Sequence, residues 1–272
     1  MPTKLGEITV GTAIALAPMA GVTNAPFRRL CREQAVQALN DLGITATDGP
    51  ASGLYVCEMI TARALVEGSS RTLDLIKPDP EETFRSVQLH GVDPETMYQG
   101  ARMLVRQGLA DHLDINFGCP VPKVTRKGAG AALPWKIERF GQIVAAVVAG
   151  ARDGEKDSPR DKSVPVTAKI RIGIDADHET YRDAGKLAQK VGASAVVLHG
   201  RSANQYYSGS ANWEAISQLR QDLEIPVWGN GDIFSAEDAL AMFEQTGCAG
   251  VEIGRGCQGR PWLFYDLSLI HI

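Results

Sequence analysis

No two cysteines in this chain have the CxxC spacing of a zinc site or a redox motif, although five are present: Cys31, Cys57, Cys119, Cys248 and Cys257. An odd number at irregular spacings excludes a disulfide framework as the basis of the fold, and no metal site is expected. Positive charge is also short. Lysine and arginine number 28 against 32 aspartates and glutamates, a formal charge of -4 over 272 residues. Nothing therefore draws the whole surface to phosphate, and any nucleic-acid contact needs a local basic patch or a part outside this stretch. The opening MPTKLGEITV lacks the apolar core of a signal peptide, and the longest apolar run, Ile143 to Ala149, is far below the roughly 20 residues that cross a bilayer. A monomer in a reducing cytoplasm, without a membrane segment, is expected. No GxGxxG follows the first apolar run, which removes the usual reason for a dinucleotide-binding fold.

What is present is alternation. A hydrophobic fraction of 44% and a charged fraction of 22% are ordinary for a globular chain. The run TAIALAPMAGVTNAPFRRLCRE reads as strand, turn and helix, with Thr23, Asn24 and Pro26 marking the helix entry. LYVCEMI (Leu54 to Ile60) reads as a second strand followed by a short helical stretch, and FRSVQLHG as a third, followed by a helix over about Pro94 to Gln107. HLDIN, VPVTAKIRIG (Val164 to Gly173), SAVVLHGRS, IPVWGNGDI and GVEIGRG continue the series. Helices are predicted at about Pro134 to Ala149, within Asp175 to Val191, and around Trp213 to Leu223 and Ala236 to Thr246. The polar stretch GEKDSPRDKS is expected to be exposed. Eight such units predict a parallel sheet with right-handed crossovers, closed as a (β/α)8 TIM barrel, with an open doubly wound sheet as the alternative.

In a barrel the informative residues lie just beyond the strand ends. Those positions hold Pro18, Met19 and Ala20; Glu58; Gln88; Asn116 and Cys119; Lys169 and Arg171; His199 and Arg201; Asn230, Gly231 and Asp232; Gly254 and Arg255. A ring of polar residues on an apolar barrel is more than turn chemistry requires. Cys119 stands out, held between the turn residues Gly118 and Pro120 and followed by Lys123, Arg126 and Lys127. A free cysteine is commonly a small buried hydrophobe, but this setting favours exposure. The glycines of GNGDI and IGRG suit a phosphate cradle after the seventh and eighth strands, although tight turns alone would also use them. Asp232 reads as an N-cap or a polar ligand contact, and His199 equally as a core histidine.

The motifs APMAGVTN, VQLHG, DINFGCPVPKVTRKGAGAAL, AKIRIG, LHGR, GNGDI and IGRGCQGRPWLF, in that order, resemble the tRNA-dihydrouridine synthases. The resemblance implies FMN as cofactor, NADPH as electron donor, tRNA as partner and a uridine as acceptor. It implies that Pro18, Met19 and Ala20 line the flavin, Gln88 bonds its polar edge and Lys169 meets its pyrimidine side. It further implies that His199, Asn230, Gly231, Asp232, Gly254 and Arg255 hold the ribityl chain and phosphate, and that Cys119 donates a proton. Within that reading Asn116 is a candidate to position uracil, and Arg126, Lys127, Arg171 and Arg201 to meet tRNA phosphate. Tyr206 and Tyr207 are candidates for stacking.

Three features depart from that family, one of them the loop SANQYYSGS, where Tyr206 and Tyr207 stand in place of a less bulky alanine-tyrosine pair or similar. Residues 1–265 are expected to form the FMN-binding barrel and 266–272 an atypical or truncated tail, with the family's helical tRNA-binding domain absent. The stretch 38–52 reads as an insertion. Two other readings stay open: a flavin barrel acting on a free pyrimidine or small molecule, and a tRNA-binding flavoprotein without turnover.

Overall fold

In the computed structural model, which describes residues 2–44, 50–77, 79–160 and 162–270, the chain opens with an antiparallel hairpin, β1 (Thr3–Leu5) and β2 (Ile8–Val10). Nine parallel strands follow: β3 (Ile14–Leu16), β4 (Leu54–Tyr55), β5 (Ile60–Thr61), β6 (Ser86–His90), β7 (His112–Phe117), β8 (Val166–Arg171), β9 (Ala195–His199), β10 (Val227–Asn230) and β11 (Gly250–Ile253). Their order in the sheet is β4-β3-β11-β10-β9-β8-β7-β6-β5. The two ends of that order are successive pieces of one segment. Val56 N–H donates to Leu16 O at 3.3 Å and Cys57 N–H to Ser86 O at 3.0 Å, so the segment pairs first with β3 and then with β6. The sheet thereby closes into a (β/α)8 barrel, and the open-sheet alternative falls. The single strand expected over 54–60 is correspondingly split, because its backbone changes partner midway.

Outside the sheet lie α1 (Ala25–Asp41), α2 (Ala62–Val66), α3 (Ser70–Leu75), α4 (Pro94–Arg106), α5 (Pro122–Thr125), α6 (Ile137–Glu155), α7 (Tyr181–Lys190), α8 (Trp213–Asp222), α9 (Ala236–Thr246) and α10 (Leu263–Leu269). Local chemistry sets several starts. Asn24 Oδ1 accepts from Phe27 N at 3.0 Å to cap α1, Asp93 caps α4 ahead of Pro94, and Ser235 with Asp238 forms a capping box on α9. The helix expected at 134–149 begins later and runs on to Glu155. Its extension rests on Gly150 and Gly154, where an added Cβ would lie 2.4 Å from Tyr98 O and 2.8 Å from Arg102 O, so α6 packs directly on the backbone of α4.

That extension absorbs the start of the stretch expected to be exposed. Beyond it, Ser158 Oγ donates to Val105 O at 3.0 Å and Arg160 pairs with Asp111, while residue 161 lies outside the described residues. Of the stretch 38–52, residues 38–41 complete α1, Ser52 O accepts from the Tyr55 hydroxyl at 2.9 Å, and 45–49 lie outside the described residues. The boundary drawn at 265/266 falls inside α10, whose Leu267 and Ser268 are buried; residues 271 and 272 lie outside the described residues.

The hairpin determines which mouth of the barrel is open. Leu5 and Val10 pack with Ala15, Leu54, Ala195, Val197 and Trp228 and seal the end where the strands begin. Parallel register then stacks the inward side chains in rows: Asn116 beside Lys169 beside Val197, and Arg171 beside His199 beside Asn230 beside Glu252. The polar rows lie toward the strand ends, where the other mouth opens.

Candidate active site

A cavity of about 460 Å³ occupies that mouth. Its wall next to β3 is Ala17, Pro18, Met19 and Ala20, a turn held by Thr23, whose Oγ1 accepts from Met19 N at 3.1 Å, and by Glu58, whose carboxylate accepts from Gly21 N at 2.5 Å. Gly21 has φ +75°, so the turn needs a glycine there.

The floor is a set of interlocked polar side chains. Gln88, fully buried, donates to Asp114 Oδ2 at 2.7 Å and accepts from Asn116 Nδ2 at 2.8 Å. Lys169 Nζ donates to Asn230 Oδ1 at 3.0 Å and contacts the Glu252 carboxylate; Asn230 Nδ2 donates to Glu252 O at 2.7 Å. Burial, reinforced by Glu252, pushes the Asp114 carboxyl up to about 7.

Cys119 is half-buried on the loop over this floor and lines the cavity. Asn116 builds the loop: its Oδ1 accepts from Cys119 N at 3.0 Å and Gly118 N at 3.3 Å. The turn role weighed for Asn116 is thus what the geometry contains, and the same side chain also faces the cavity. Gly130, φ +57°, crosses so close that an added Cβ would sit 2.5 Å from Cys119 O. The other four cysteines are buried.

At the opposite end, Gly231 (φ +123°), Asp232, Gly254 and Arg255 line the cavity beside His199. An added Cβ at Gly231 would press on Ala211 at 2.7 Å and His199 at 3.2 Å. His199 Nε2 is buried without a partner among the described residues, and burial with the charges of Arg171 and Lys169 pushes its imidazole well below the usual range, so the ring is neutral. A neutral imidazole nitrogen left unpaired on a cavity wall suits a polar ligand atom.

The N-cap reading of Asp232 is overturned, since Ser235 caps α9. Asp232 instead sits at φ +59° and accepts from Arg201 Nη2 at 2.8 and 2.7 Å, from Ala211 N at 2.7 Å and from Arg255 at 3.5 Å.

The four basic residues expected at tRNA phosphate divide. Arg126 and Lys127 are exposed and form no ion pair among the described residues. Arg201 corrects the expectation: it is 1% exposed, does not line the cavity, and spends its guanidinium on Ser208 O, Gly209 O and Asp232. Arg171 lines the cavity but is also buried, tying Gly118 O at 2.8 Å to Ser202 O at 2.9 Å and Tyr206 O at 3.0 Å. Burial lowers it to about 10, still charged at neutral pH. Both arginines are braces because strand-end loops leave carbonyls that a planar five-donor group can satisfy.

Of the two tyrosines, Tyr207 reaches the cavity, with Arg255 4.7 Å and Arg171 5.7 Å from its ring centre; Tyr206 does not line it. Sequence reasoning missed Glu252 and Asp114. The available signal was a carboxylate at an inward position of a buried strand, in GVEI and HLDIN.

Fold and site together define a (β/α)8 barrel whose open mouth joins a half-buried thiol, a lysine-bearing polar floor and a glycine-arginine cradle. A family model described as "Dihydrouridine synthase (Dus)" matches residues 15–270. The chain belongs to the dihydrouridine synthase family. It is 53% identical over 266 residues to the "Probable tRNA-dihydrouridine synthase" of Mycobacterium tuberculosis, covering 97% of this chain and 64% of that one. It is 55% identical over 264 residues to the same-named protein of Mycobacterium leprae, covering 93% and 67%. The chain thus spans about two thirds of the length of these relatives. Among solved structures, 6-hydroxypseudooxynicotine amine oxidase of Pseudomonas geniculata shares the fold, with a TM-score of 0.63 at 12% identity over 98% of this chain and 48% of that one.

Proposed function

We propose that this chain is the catalytic barrel of an enzyme that reduces uridines in tRNA to 5,6-dihydrouridine, with FMN in the cavity and NADPH as electron donor. The carrying observation is the placement of the Cys119 thiol above the polar floor of a single 460 Å³ cavity at the open mouth of the barrel. The residues fit a flavin mononucleotide. Pro18, Met19 and Ala20 offer an apolar wall; Gln88 and Lys169 would meet a polar ring edge, and the His199 nitrogen, unpaired among the described residues, would serve the chain between ring and phosphate. Gly231, Gly254 and Arg255 form a cradle of close-approaching backbone and one cation for phosphate.

Bound there, a flavin would supply a hydride for carbon 6 of uracil. The rest is work for the protein's own groups. Cys119 Sγ carries the proton that carbon 5 requires, so hydride and proton together reduce the C5=C6 bond; the thiol then regains a proton from solvent. Asn116 holds the Cys119 loop and has one Nδ2 hydrogen, directed at Met59 Sδ at 3.5 Å, to turn to the base. The uridine must leave its stack to reach the cavity, and Arg126 and Lys127, exposed on the Cys119 loop, take the flanking phosphates. No described helix is long and apolar enough to cross a membrane; the enzyme is proposed to act as a cytoplasmic monomer.

The test is single-turnover reoxidation of photoreduced, FMN-loaded protein under anaerobic conditions, with unmodified tRNA and with free uridine. Reoxidation by tRNA alone is expected, and Cys119→Ala is expected to keep flavin while losing at least about a hundredfold in rate. Reoxidation by free uridine at the same rate would move the substrate to small pyrimidines, and a protein that takes up no FMN would remove the flavin reading.

A further inference from the structure

One buried charge has no place in the reaction just described. Glu252, the third residue of β11, faces inward at 2% exposure and lies at the cavity floor. A carboxylate there is costly unless a partner repays its desolvation. The partner is Lys169, 12% exposed, whose ammonium reaches Glu252 Oε2 from β8 across the barrel. The contact is an ion pair more than an aligned hydrogen bond, since Lys169 directs a hydrogen bond to Asn230 Oδ1 at 3.0 Å. Asn230 is oriented in turn by Glu252 O, which accepts from its Nδ2 at 2.7 Å. β11 therefore grips the lysine twice, through the carboxylate and through its main chain by way of Asn230. The other carboxyl nearby, Asp114, is engaged by Gln88 and Thr167 at 2.7 and 2.6 Å; it feels the lysine's charge at longer range but forms no ion pair with it among the described residues.

Resting on the flavin reading above, we propose that Glu252 is a positioning residue: it is the fixed counter-ion that aims the Lys169 ammonium at the bound ring and limits the positive charge the ring experiences. A lone lysine at that place would favour the reduced, anionic ring strongly. With Glu252 beside it the preference is moderated, which keeps the electron pair available for release to substrate.

The experiment has one arm without flavin and one with it. In ligand-free protein, trace acetylation with acetic anhydride is quantified by mass spectrometry at Lys169, with exposed Lys123 as internal reference. Wild-type Lys169 is expected to label more slowly than Lys123, and Glu252→Gln to raise Lys169 labelling several-fold while Lys123 is unchanged. In the FMN-loaded holoprotein, the midpoint potential of Glu252→Gln is expected to be more positive than that of wild type. Unchanged Lys169 labelling, or an unchanged potential in a fully loaded variant, would overturn the proposal. Glu252→Met, of similar length and uncharged, repeats both arms should the glutamine variant not fold; wild-type Lys169 labelling as fast as Lys123 overturns it without any variant. A wild-type protein that binds no FMN sinks the flavin reading alone, because the labelling arm still decides the ion pair.

Discussion

Ser86, His112, Thr167 and Asp114 form a buried hydrogen-bonded line beneath the cavity. His112 Nδ1 lies 3.1 Å from Ser86 Oγ and Nε2 2.9 Å from Thr167 Oγ1, and Thr167 donates to Asp114 Oδ1 at 2.6 Å. Burial pushes His112 down to about 3 and Asp114 up to about 7. Their contributions to stability run in opposite directions. Native Asp114 keeps a proton that the unfolded chain releases near pH 4, so this group's contribution falls as pH rises from about 4 to about 7. Unfolded His112 gains a proton that the native ring refuses, so its contribution falls as pH drops below about 6.5. Measured by urea unfolding, the stability of wild type relative to Asp114→Asn should be greatest near pH 4 and decline by a few kcal/mol toward pH 7; a flat difference would refute the raised carboxyl. Arg201 makes a second prediction of this kind. Its fork is nearly fully buried against Asp232 and two carbonyls, and lysine cannot reproduce it, so Arg201→Lys should cost about 2–4 kcal/mol of unfolding free energy.

Helix α6 is long because it has somewhere to lie. Gly150 and Gly154 on one face let its backbone touch that of α4, and Phe140, Ile143, Val144 and Val147 continue the buried stripe toward its start. An alanine in a helix interior is ordinarily better than glycine by about 1 kcal/mol. At Gly150 the added methyl would meet Tyr98 O at 2.4 Å, which is main chain and cannot swing aside. Gly150→Ala should therefore destabilise the protein by about 1–3 kcal/mol in urea unfolding, reversing the sign that propensity alone implies. A stabilised variant would mean that α4 and α6 can separate at little cost.

Across the molecule, net charge and local charge disagree in a useful way. The chain carries -4 overall, yet Lys123, Arg126, Lys127, Lys136 and Arg139 are exposed on and just after the Cys119 loop, and none is in an ion pair among the described residues. Replacing Arg126 and Lys127 together by alanine should leave stability within about 0.5 kcal/mol of wild type, as is usual for exposed positions. The same variant should weaken tRNA binding and make log K against log salt shallower by about 1.5. An unchanged salt slope would place the RNA elsewhere on the surface. The pairing of this result with Arg201→Lys separates the basic residues proposed to face RNA from the arginine that holds the fold.

Periodicity and turn chemistry in the chain were enough for the strand and helix alternation, for α8 and α9 nearly to the residue, and for the ring of strand-end residues, all of which except Glu58 and Arg201 line one cavity. These are local properties: inward and outward alternation, capping residues and glycine turns act over a few residues, and the family motifs sit on them. Barrel closure through Val56 and Cys57, the length of α6, and the roles of Arg171, Arg201 and Asp232 were settled only by packing. Each depends on a partner far along the chain, Ser86 for Cys57, Tyr98 for Gly150, Asp232 for Arg201. An arginine at a strand end looks the same in sequence whether carbonyls of a neighbouring loop or a phosphate will satisfy it. Glu252 is the sharpest case: its position on an apolar strand was visible, but that Lys169 crosses the barrel to meet it follows from the stagger of closed parallel strands, which no single segment contains.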